Sequence, residues 1–295
     1  MKSTTPVSAD STGAITRGIV TTFIAFGGAV VAVGLLAALY LAVMWARLPS
    51  VAGVGERGDP GPTSFMHSDS CTAEQTKRVY VPLADIDPRL VCAVMWAEDW
   101  RFFRHDGVDR VALKGAMRMN WKAKRWLFGA STIPMQLARN LFLTRSRTFS
   151  RKLKEVVLAR RLVKHYDKRR LLELYLNAAE WAPCVYGIEA GARHYLGHGA
   201  KVLDPGEATF LAAMLPRPGT PPGHTEKDRA KLAKRQHQLL QLMRRSGLLT
   251  RDELRIGRVE ISVAWRTKWA NHEAQVTLPG AQSLLRRYCG SPPSK

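Results

Sequence analysis

Hydrophobic positions divide the chain into regions with different patterns. From Ile19 to Trp45 every residue is uncharged, most are apolar, and no polar face interrupts the run. The run exceeds the roughly 20 residues that span a bilayer. It is also too long for the apolar part of a signal peptide, and no convincing small-residue cleavage site closes it. We therefore predict an uncleaved transmembrane anchor; a buried core helix is the less favoured alternative.

The residues around this run predict the domain organisation. Residues 1–18 are polar and rich in Ser and Thr, which indicates a disordered tail. Residues 46–76 are rich in Gly, Pro and Ser and predict a linker that leads into the domain. Residues 77–83 alternate briefly and predict a short extended segment. The domain itself is predicted over residues 77–258, with a basic tail over 259–295.

The domain shows helical periodicity and frequent capping signals. Asp87 is a plausible N-cap and Pro88 occupies the first helical position. Ser131 or Thr132 begins a second helix, whose first turn tolerates Pro134. Because no sustained alternation of apolar and polar residues is present, we predict a mainly α domain.

The charge of the chain narrows the choice of partner. The formal net charge is +21, which indicates an anionic partner: nucleic acid, a membrane surface or a phosphorylated substrate. Basic residues flank the apolar run almost equally on both sides, so they do not set its orientation.

The cysteines show no metal-binding pattern. Cys71, Cys92, Cys184 and Cys289 lack the C-x-x-C spacing of zinc sites. One or two disulfides are allowed outside the cytoplasm, but the sequence leaves their pairing open. Cys92 lies within the first packed helix and is predicted to be a small buried residue.

The first candidate for chemistry stands at the end of the helix that follows Asp87. Glu98 and Asp99 precede a turn that contains His105. A carboxylate there lies in the negative field of the helix dipole and partly out of water, which favours a general base. The alternative is a solvated acid that pairs with Arg101 or Arg104.

A second candidate lies at the start of the helix that begins near Ser131. Its free N–H groups suit a phosphate or pyrophosphate. Gln136, Arg139 and Asn140 share one face of this helix. The alternative is an ordinary amphipathic helix with its amides in solvent.

The third candidate combines Arg151, Lys152 and Glu155. Arg151 and Glu155, at i and i+4, are either a surface ion pair worth a few tenths of a kcal/mol, or Glu155 is a second catalytic carboxylate among cations that bind a phosphorylated leaving group.

Two later stretches, 186–197 and 203–218, look structural, with Glu189, Arg193 and Glu207 as residues able to brace a cleft.

In their order and spacing, these stretches resemble the five motifs of glycosyltransferase family 51, the peptidoglycan glycosyltransferases. The residues that carry the resemblance are Ala97, Glu98, Asp99, Phe102, His105, Gly107, Asp109, Gly129, Ser131, Thr132, Gln136, Arg139, Asn140, Leu141, Arg151, Lys152, Glu155, Tyr175, Leu176 and Asn177. The segment Pro62–Met66 resembles monofunctional proteobacterial members, and no S-x-x-K or K-T-G of a transpeptidase follows. The chain departs from the family pattern at Pro134, Met135 and Cys184.

The resemblance implies a lysozyme-like, two-lobed glycosyltransferase domain on a single N-terminal transmembrane helix. It implies polymerisation of lipid II into β-1,4-linked strands, with inversion and release of undecaprenyl pyrophosphate. Glu98 is then the general base and Glu155 a second catalytic carboxylate whose role stays open between leaving group, metal and positioning. The implied substrate-binding residues are Asp99, Ser131, Thr132, Gln136, Arg139, Asn140, Arg151 and Lys152.

The resemblance also implies surroundings and partners. No cofactor is required, although a divalent cation (Mg²⁺ or Mn²⁺) that bridges Glu155 or Asp99 to the pyrophosphate is allowed. The expected partners are lipid II, the growing glycan strand and the bacterial inner membrane, with other cell-wall synthesis proteins as candidates and no nucleic acid. The N-terminus is expected in the cytoplasm and the catalytic domain in the periplasm.

A basic-aromatic patch is suited to the membrane interface. It consists of Trp121, Lys122, Lys124, Arg125, Trp126, Leu127 and Phe128. The alternative is that these aromatic residues belong to an ordinary core.

Two other functions compete with this interpretation. A lytic transglycosylase also uses one glutamate on a helical fold, but it cuts glycan and has no need of pyrophosphate-binding cations. A membrane-tethered basic binding protein, for example for nucleic acid, would bind DNA with a steep salt dependence that survives Glu98→Gln.

Overall fold

The N-terminal unit contains one long helix. The computed structural model describes residues 9–54, 56, 58–68, 71–125, 129–216 and 225–267, and the chain divides into the units Met1–Pro49 and Ser50–Lys295. In the first unit, helix α1 spans Ala9–Ala46. Its stretch Ile19–Ala46 is long and apolar enough to cross a membrane, and the large apolar side chains along it are exposed. This stretch coincides with the predicted anchor.

The start of α1 differs from the predicted tail. The helix begins at Ala9, well before the apolar run, because no proline interrupts residues 9–18. The rest of the predicted tail, residues 1–8, lies outside the described residues.

A short helix lies in the predicted linker. Helix α2 spans Ser64–Ser68, and its Phe65 and Met66 are buried in a cluster with Tyr186. The Ser64 hydroxyl donates a hydrogen bond to the carbonyl of Leu141 at 2.9 Å. The structure therefore differs from a free linker here, because two apolar side chains fasten the segment to the domain.

The rest of the second unit is mainly helical, as predicted. Its elements in chain order are β1 (Lys77–Arg78), α3 (Pro88–Glu98), α4 (Arg110–Ala123), α5 (Ile133–Phe142), α6 (Phe149–His165), α7 (Lys168–Ala178), β2 (Glu180–Ala182), β3 (Val185–Tyr186), α8 (Ile188–Leu196), α9 (Pro205–Met214), α10 (Glu226–Arg245) and α11 (Arg251–Thr267).

The helices form two groups. In one group α3 packs against α9 and α10, and α11 packs against α9 and α10. In the other group α5 packs against α2, α6 and α7. Helix α9 is buried along its whole length and begins with a capping box formed by Asp204 and Glu207. The two groups agree with the predicted two-lobed, lysozyme-like domain.

A three-stranded sheet lies beside the helices in the order β1–β3–β2. Strand β1 pairs in parallel with β3, with Lys77 opposite Val185. Only the first two residues of the predicted extended segment 77–83 form this strand. A disulfide joins Cys71, before β1, to Cys184, between β2 and β3. Cys184 has a φ of 62°. Cys92 is fully buried in α3, as predicted, but it is disulfide-bonded and not only a small packing residue. Cys289 lies outside the described residues.

The domain continues beyond its predicted end at residue 258. Helix α11 extends to Thr267, and its Ile261 is buried. The basic composition of the C-terminal region concealed this apolar contact.

Candidate active site

Local sequence places Glu98 at the last position of α3. The Asp87 side chain accepts a hydrogen bond from the backbone N–H of Arg89 at 2.8 Å and caps the start of the helix. Leu90 and Val94 are completely buried, so the helix is held firmly in the first group. The side chain of Glu98 is 12% exposed. It is neither a core residue nor a freely solvated acid.

Each carboxylate oxygen of Glu98 accepts one hydrogen bond. The Gln136 amide of α5 donates to Oε2 at 2.9 Å. Arg235 of α10 donates from Nη2 to Oε1 at 3.0 Å and to the carbonyl of Ala97 at 3.2 Å. Residues from both helix groups therefore meet at this carboxylate. The sequence alternative of a pair with Arg101 or Arg104 is not what the structure shows.

A buried tyrosine fixes the orientation of Gln136. The hydroxyl of Tyr175 donates to Gln136 Oε1 at 2.9 Å, which leaves the amide nitrogen to face Glu98. Burial raises the pKa of Tyr175 well above its usual value, so the phenol stays protonated and acts as a donor. Tyr175, Gln136 and Glu98 thus form a chain of hydrogen bonds.

Asp99 has its partners inside the protein. Its carboxylate lies 2.9 Å from His105 Nε2 and accepts the backbone N–H of Ile133 at 2.9 Å. Thr132, the N-cap of α5, donates its hydroxyl to the carbonyl of Gly107 at 2.6 Å. Both side chains are buried, and together they tie the turn after α3 to the start of α5.

Gly107 is required for this turn. Its φ is +105°, and a Cβ there would lie 2.9 Å from the carbonyl oxygen of Ala159. Lys168 completes the arrangement, because its Nζ donates to the carbonyl of His105 at 2.7 Å. The turn after Glu98 is therefore held by hydrogen bonds from the start of α5 and from Lys168 of α7, and it packs closely against α6.

On α6, the buried carboxylate of Glu155 binds two cationic side chains. Arg151 and Lys152 both form ion pairs with Glu155, and the Lys152 Nζ–Glu155 Oε2 distance is 2.8 Å. The Glu155 side chain is only 2% exposed, which rules out an ordinary surface ion pair. Lys152 Nζ also donates to the Ser131 hydroxyl at 2.6 Å, so the start of α5 and the cations of α6 form one network.

The cations also influence one another. Burial, and then the charges of Arg139 and Arg151, lower the pKa of Lys152 to about 8. Burial also lowers the pKa of Arg139, and the charge of Arg145 lowers it further, while Tyr175 and Glu98 act to raise it. The charge of Arg139 therefore acts on the carboxylate of Glu98 and on Lys152 of α6.

The predicted site residues fall into three sets. Glu98 and Gln136 share a hydrogen bond, and Ser131, Arg151, Lys152 and Glu155 form a network close to Arg139. Asp99 and Thr132 lie in the interior, and Asn140 is buried in α5. Among the residues proposed to brace a cleft, Glu189 accepts the N–H of Ala200 and an ion pair from Arg193.

Sequence reasoning missed Arg235 and Lys168. Both lie on helices rich in basic residues, so nothing in the linear pattern distinguishes them from their neighbours. Only the tertiary packing brings Arg235 to Glu98 and Lys168 to the turn after α3.

A family model described as Transglycosylase matches residues 66–244 of the chain. This range contains every residue of the two networks described above. The matching segment begins within α2 and ends in α10.

Several curated proteins are similar to the chain. A biosynthetic peptidoglycan transglycosylase of Janthinobacterium sp. (strain Marseille) is 40% identical over 196 residues, 64% of this chain and 84% of the relative. A protein of the same name from Nitrosospira multiformis is 40% identical and covers 54% of this chain and 72% of the relative. One from Agrobacterium fabrum is 43% identical over 53% of this chain and 69% of the relative.

Proposed function

The chain belongs to the transglycosylase family and is a peptidoglycan glycosyltransferase that polymerises lipid II. We propose that two networks of side chains carry out this reaction, one around Glu98 and one around Glu155. The single observation that carries the assignment of residues is the position of Glu98. Its carboxylate lies where the two helix groups meet, bound by Gln136 of one group and Arg235 of the other, and it interacts electrostatically with Arg139.

Glu98 acts as the general base. It removes the proton from the 4-hydroxyl of the acceptor N-acetylglucosamine while the oxygen attacks C1 of the donor N-acetylmuramic acid. A β-1,4 bond forms with inversion, and the bond from C1 to the undecaprenyl pyrophosphate breaks. The hydrogen bonds from Gln136 and Arg235 hold the carboxylate in one orientation, so it does not have to be ordered during the reaction.

The cations receive the leaving group. Arg139, Arg151 and Lys152 stabilise the charge that develops on the departing pyrophosphate, as charge-assisted donors do for phosphate oxygens. The Ser131 hydroxyl, held by Lys152, lies at the start of α5, where free N–H groups also favour an anion.

Glu155, Asp99 and Thr132 act on other protein groups. Glu155 pairs with both Arg151 and Lys152 and so offsets the repulsion between these two positive charges. Asp99 and Thr132 fix the turn that follows Glu98. We assign a positioning role to these three residues, in place of the direct substrate contact expected for Asp99 and Thr132.

A lipid II assay tests the proposal. The purified full chain in detergent is expected to convert lipid II into glycan polymer. Shortening of preformed glycan without polymer formation would instead favour a lytic transglycosylase.

A divalent cation fits the site poorly. Glu155 already pairs with two protein cations, and Asp99 is engaged by His105 and a backbone N–H. Among the described residues no group of three or more His, Cys, Asp or Glu side chains is arranged to hold a metal ion. We derive no step through a metal, and the lipid II assay with and without a chelator tests this.

Polymerisation is expected to decline above about pH 8. Because burial and neighbouring cations lower the pKa of Lys152 to about 8, its ammonium is present below that pH and is lost as the pH rises through it. A pH–rate profile of lipid II polymerisation measures the effect. In Lys152→Arg, which keeps its charge, the alkaline limb should move to higher pH; an unmoved limb would contradict the role of Lys152.

We propose that the catalytic domain faces the periplasm and that α1 crosses the inner membrane with its N-terminus in the cytoplasm. One apolar helix of sufficient length supports the anchor. The Cys71–Cys184 disulfide supports an oxidising compartment for the domain.

Peptide mapping tests this orientation. Protein alkylated in intact cells is expected to yield a linked peptide pair that contains Cys71 and Cys184, and a Cys71→Ser/Cys184→Ser variant is the control. Recovery of both cysteines as alkylated thiols would contradict export of the domain.

Helix α4 supports contact with the membrane surface. Trp121 is 87% exposed, which excludes the core alternative for this residue, and basic residues flank it. Trp126, Leu127 and Phe128 of the predicted patch lie outside the described residues. Basic residues near an anionic leaflet contribute attraction, which gives the net charge of +21 a role without nucleic acid.

A further inference from the structure

The helix α2 carries a phenylalanine that faces two arginines. We propose that Phe65 is a positioning residue that holds Arg139 and Arg145 together as a pair, and that this pair binds the diphosphate of the lipid-linked donor. The inference rests on the proposed function and adds Arg145 to its cationic site. It also gives a role to the segment Pro62–Met66, which the reaction scheme leaves unused.

The geometry of the three side chains supports the proposal. The guanidinium carbon of Arg145 lies 4.5 Å from the centroid of the Phe65 ring, and that of Arg139 lies 5.6 Å from it. Both distances are within the range in which an aromatic ring attracts a cation. Phe65 is only 6% exposed, so the ring that both cations contact is shielded from water, although the Arg145 side chain is 42% exposed.

Two guanidinium groups that contact the same aromatic ring require compensation for their charges. The charge of Arg145 acts to lower the pKa of Arg139, which shows that the two charges repel. The negative face of the Phe65 ring offsets part of that repulsion. Glu180 of β2 also pairs with Arg145, with its Oε2 2.8 Å from Arg145 Nη2. A diphosphate carries the negative charge that would complete the neutralisation.

Helix α2 is attached to the chain segment that carries Arg139 and Arg145, so its Phe65 can hold both arginines. The hydrogen bond from Ser64 reaches the carbonyl of Leu141, which lies between Arg139 and Arg145 in the chain. Phe65 also shares a buried cluster with Met66 and Tyr186. The ring is therefore held rigidly relative to the chain that carries both arginines.

Arg139 and Arg145 are connected to Arg151 and Lys152, the cations of α6 already assigned to the leaving group. The carbonyl of Ser146, next to Arg145, accepts a hydrogen bond from Arg151 Nε. The charge of Arg139 in turn affects Lys152. These links connect Arg139 and Arg145 to the two cations of α6, Arg151 and Lys152.

The test measures binding of farnesyl diphosphate to the full chain in detergent by titration calorimetry. Phe65→Leu removes the aromatic face but keeps an apolar side chain, and its affinity is expected to fall about fivefold to tenfold. Phe65→Tyr keeps the face and should bind within about twofold of the unmodified protein. Met66→Leu, a volume-conserving change in the same cluster, is the control for packing and should bind normally.

A double-mutant cycle adds a second criterion. Arg145→Gln alone should weaken binding to a similar extent, and Phe65→Leu should add little to it. Unchanged affinity in Phe65→Leu, or equally weak binding in Phe65→Tyr, would overturn the proposal. Should Phe65→Leu fail to fold, unchanged affinity in Arg145→Gln overturns it instead. Since binding requires no turnover, these results stand apart from any failure of the polymerisation assay.

Discussion

Glu98→Gln is expected to reduce lipid II polymerisation by roughly a thousandfold or more, the upper part of the range for loss of a general base. The amide has nearly the shape of the carboxylate and retains an oxygen for the hydrogen bond from Arg235 or Gln136. It has no basic lone pair of comparable proton affinity, so the acceptor hydroxyl keeps its proton. The measurement is the initial rate of polymer formation from lipid II.

Binding and folding separate this effect from a structural one. The Glu98→Gln protein should bind lipid II and unfold thermally much as the unmodified protein does. The matched control is Glu74→Gln, because Glu74 is exposed and distant in sequence from the site; its rate should be unchanged. Turnover within tenfold of the unmodified enzyme in Glu98→Gln would remove this carboxylate from the reaction.

Glu155→Gln is expected to lower kcat by about tenfold to a hundredfold, within the range expected when charged groups that stabilise a transition state are misplaced. The glutamine fits the same buried space but cannot neutralise Arg151 and Lys152, which one carboxylate now holds together. The two cations would separate, and fewer donors would face the departing pyrophosphate. Single-turnover kinetics with lipid II report the loss directly.

A second buried carboxylate, that of Glu189, provides the control for Glu155. Glu189 also pairs with an arginine at helical spacing and is almost fully buried, but it has no contact with the cationic network among the residues that the structure describes. Glu189→Gln should lower thermal stability while leaving kcat unchanged. If Glu155→Gln affects only stability in the same manner, then Glu155 has no role beyond packing.

The starts of the helices were predictable because their signals are local. The Asp87 cap with Pro88 and the Thr132 cap with Pro134 are formed by neighbours in the chain, so no tertiary information was needed. The same holds for Arg151 and Glu155, which face each other through helical spacing alone.

The direction of a polar side chain was not predictable. Asp99 and Thr132 are neighbours of residues that face the site, yet both point into the interior. Whether such a side chain meets substrate or backbone depends on the turn around Gly107, which is set by close packing against α6.

Contacts between residues far apart in the chain could not be predicted from the sequence either. Arg235 lies on a helix with many basic residues, and only the packing of α10 on α3 selects it. The helix α2 was concealed for a different reason: five residues are too few for periodicity to appear.

The bond between Cys71 and Cys184 has a practical consequence for producing the protein. It closes a loop across 113 positions of sequence, and restricting the denatured chain to this extent is worth about 4–5 kcal/mol in the chain-entropy model. A recombinant domain made in the reducing interior of a host cell would lack that constraint. Such material would melt earlier and be more prone to aggregate on storage, whereas secretion or an oxidising host strain preserves the native form.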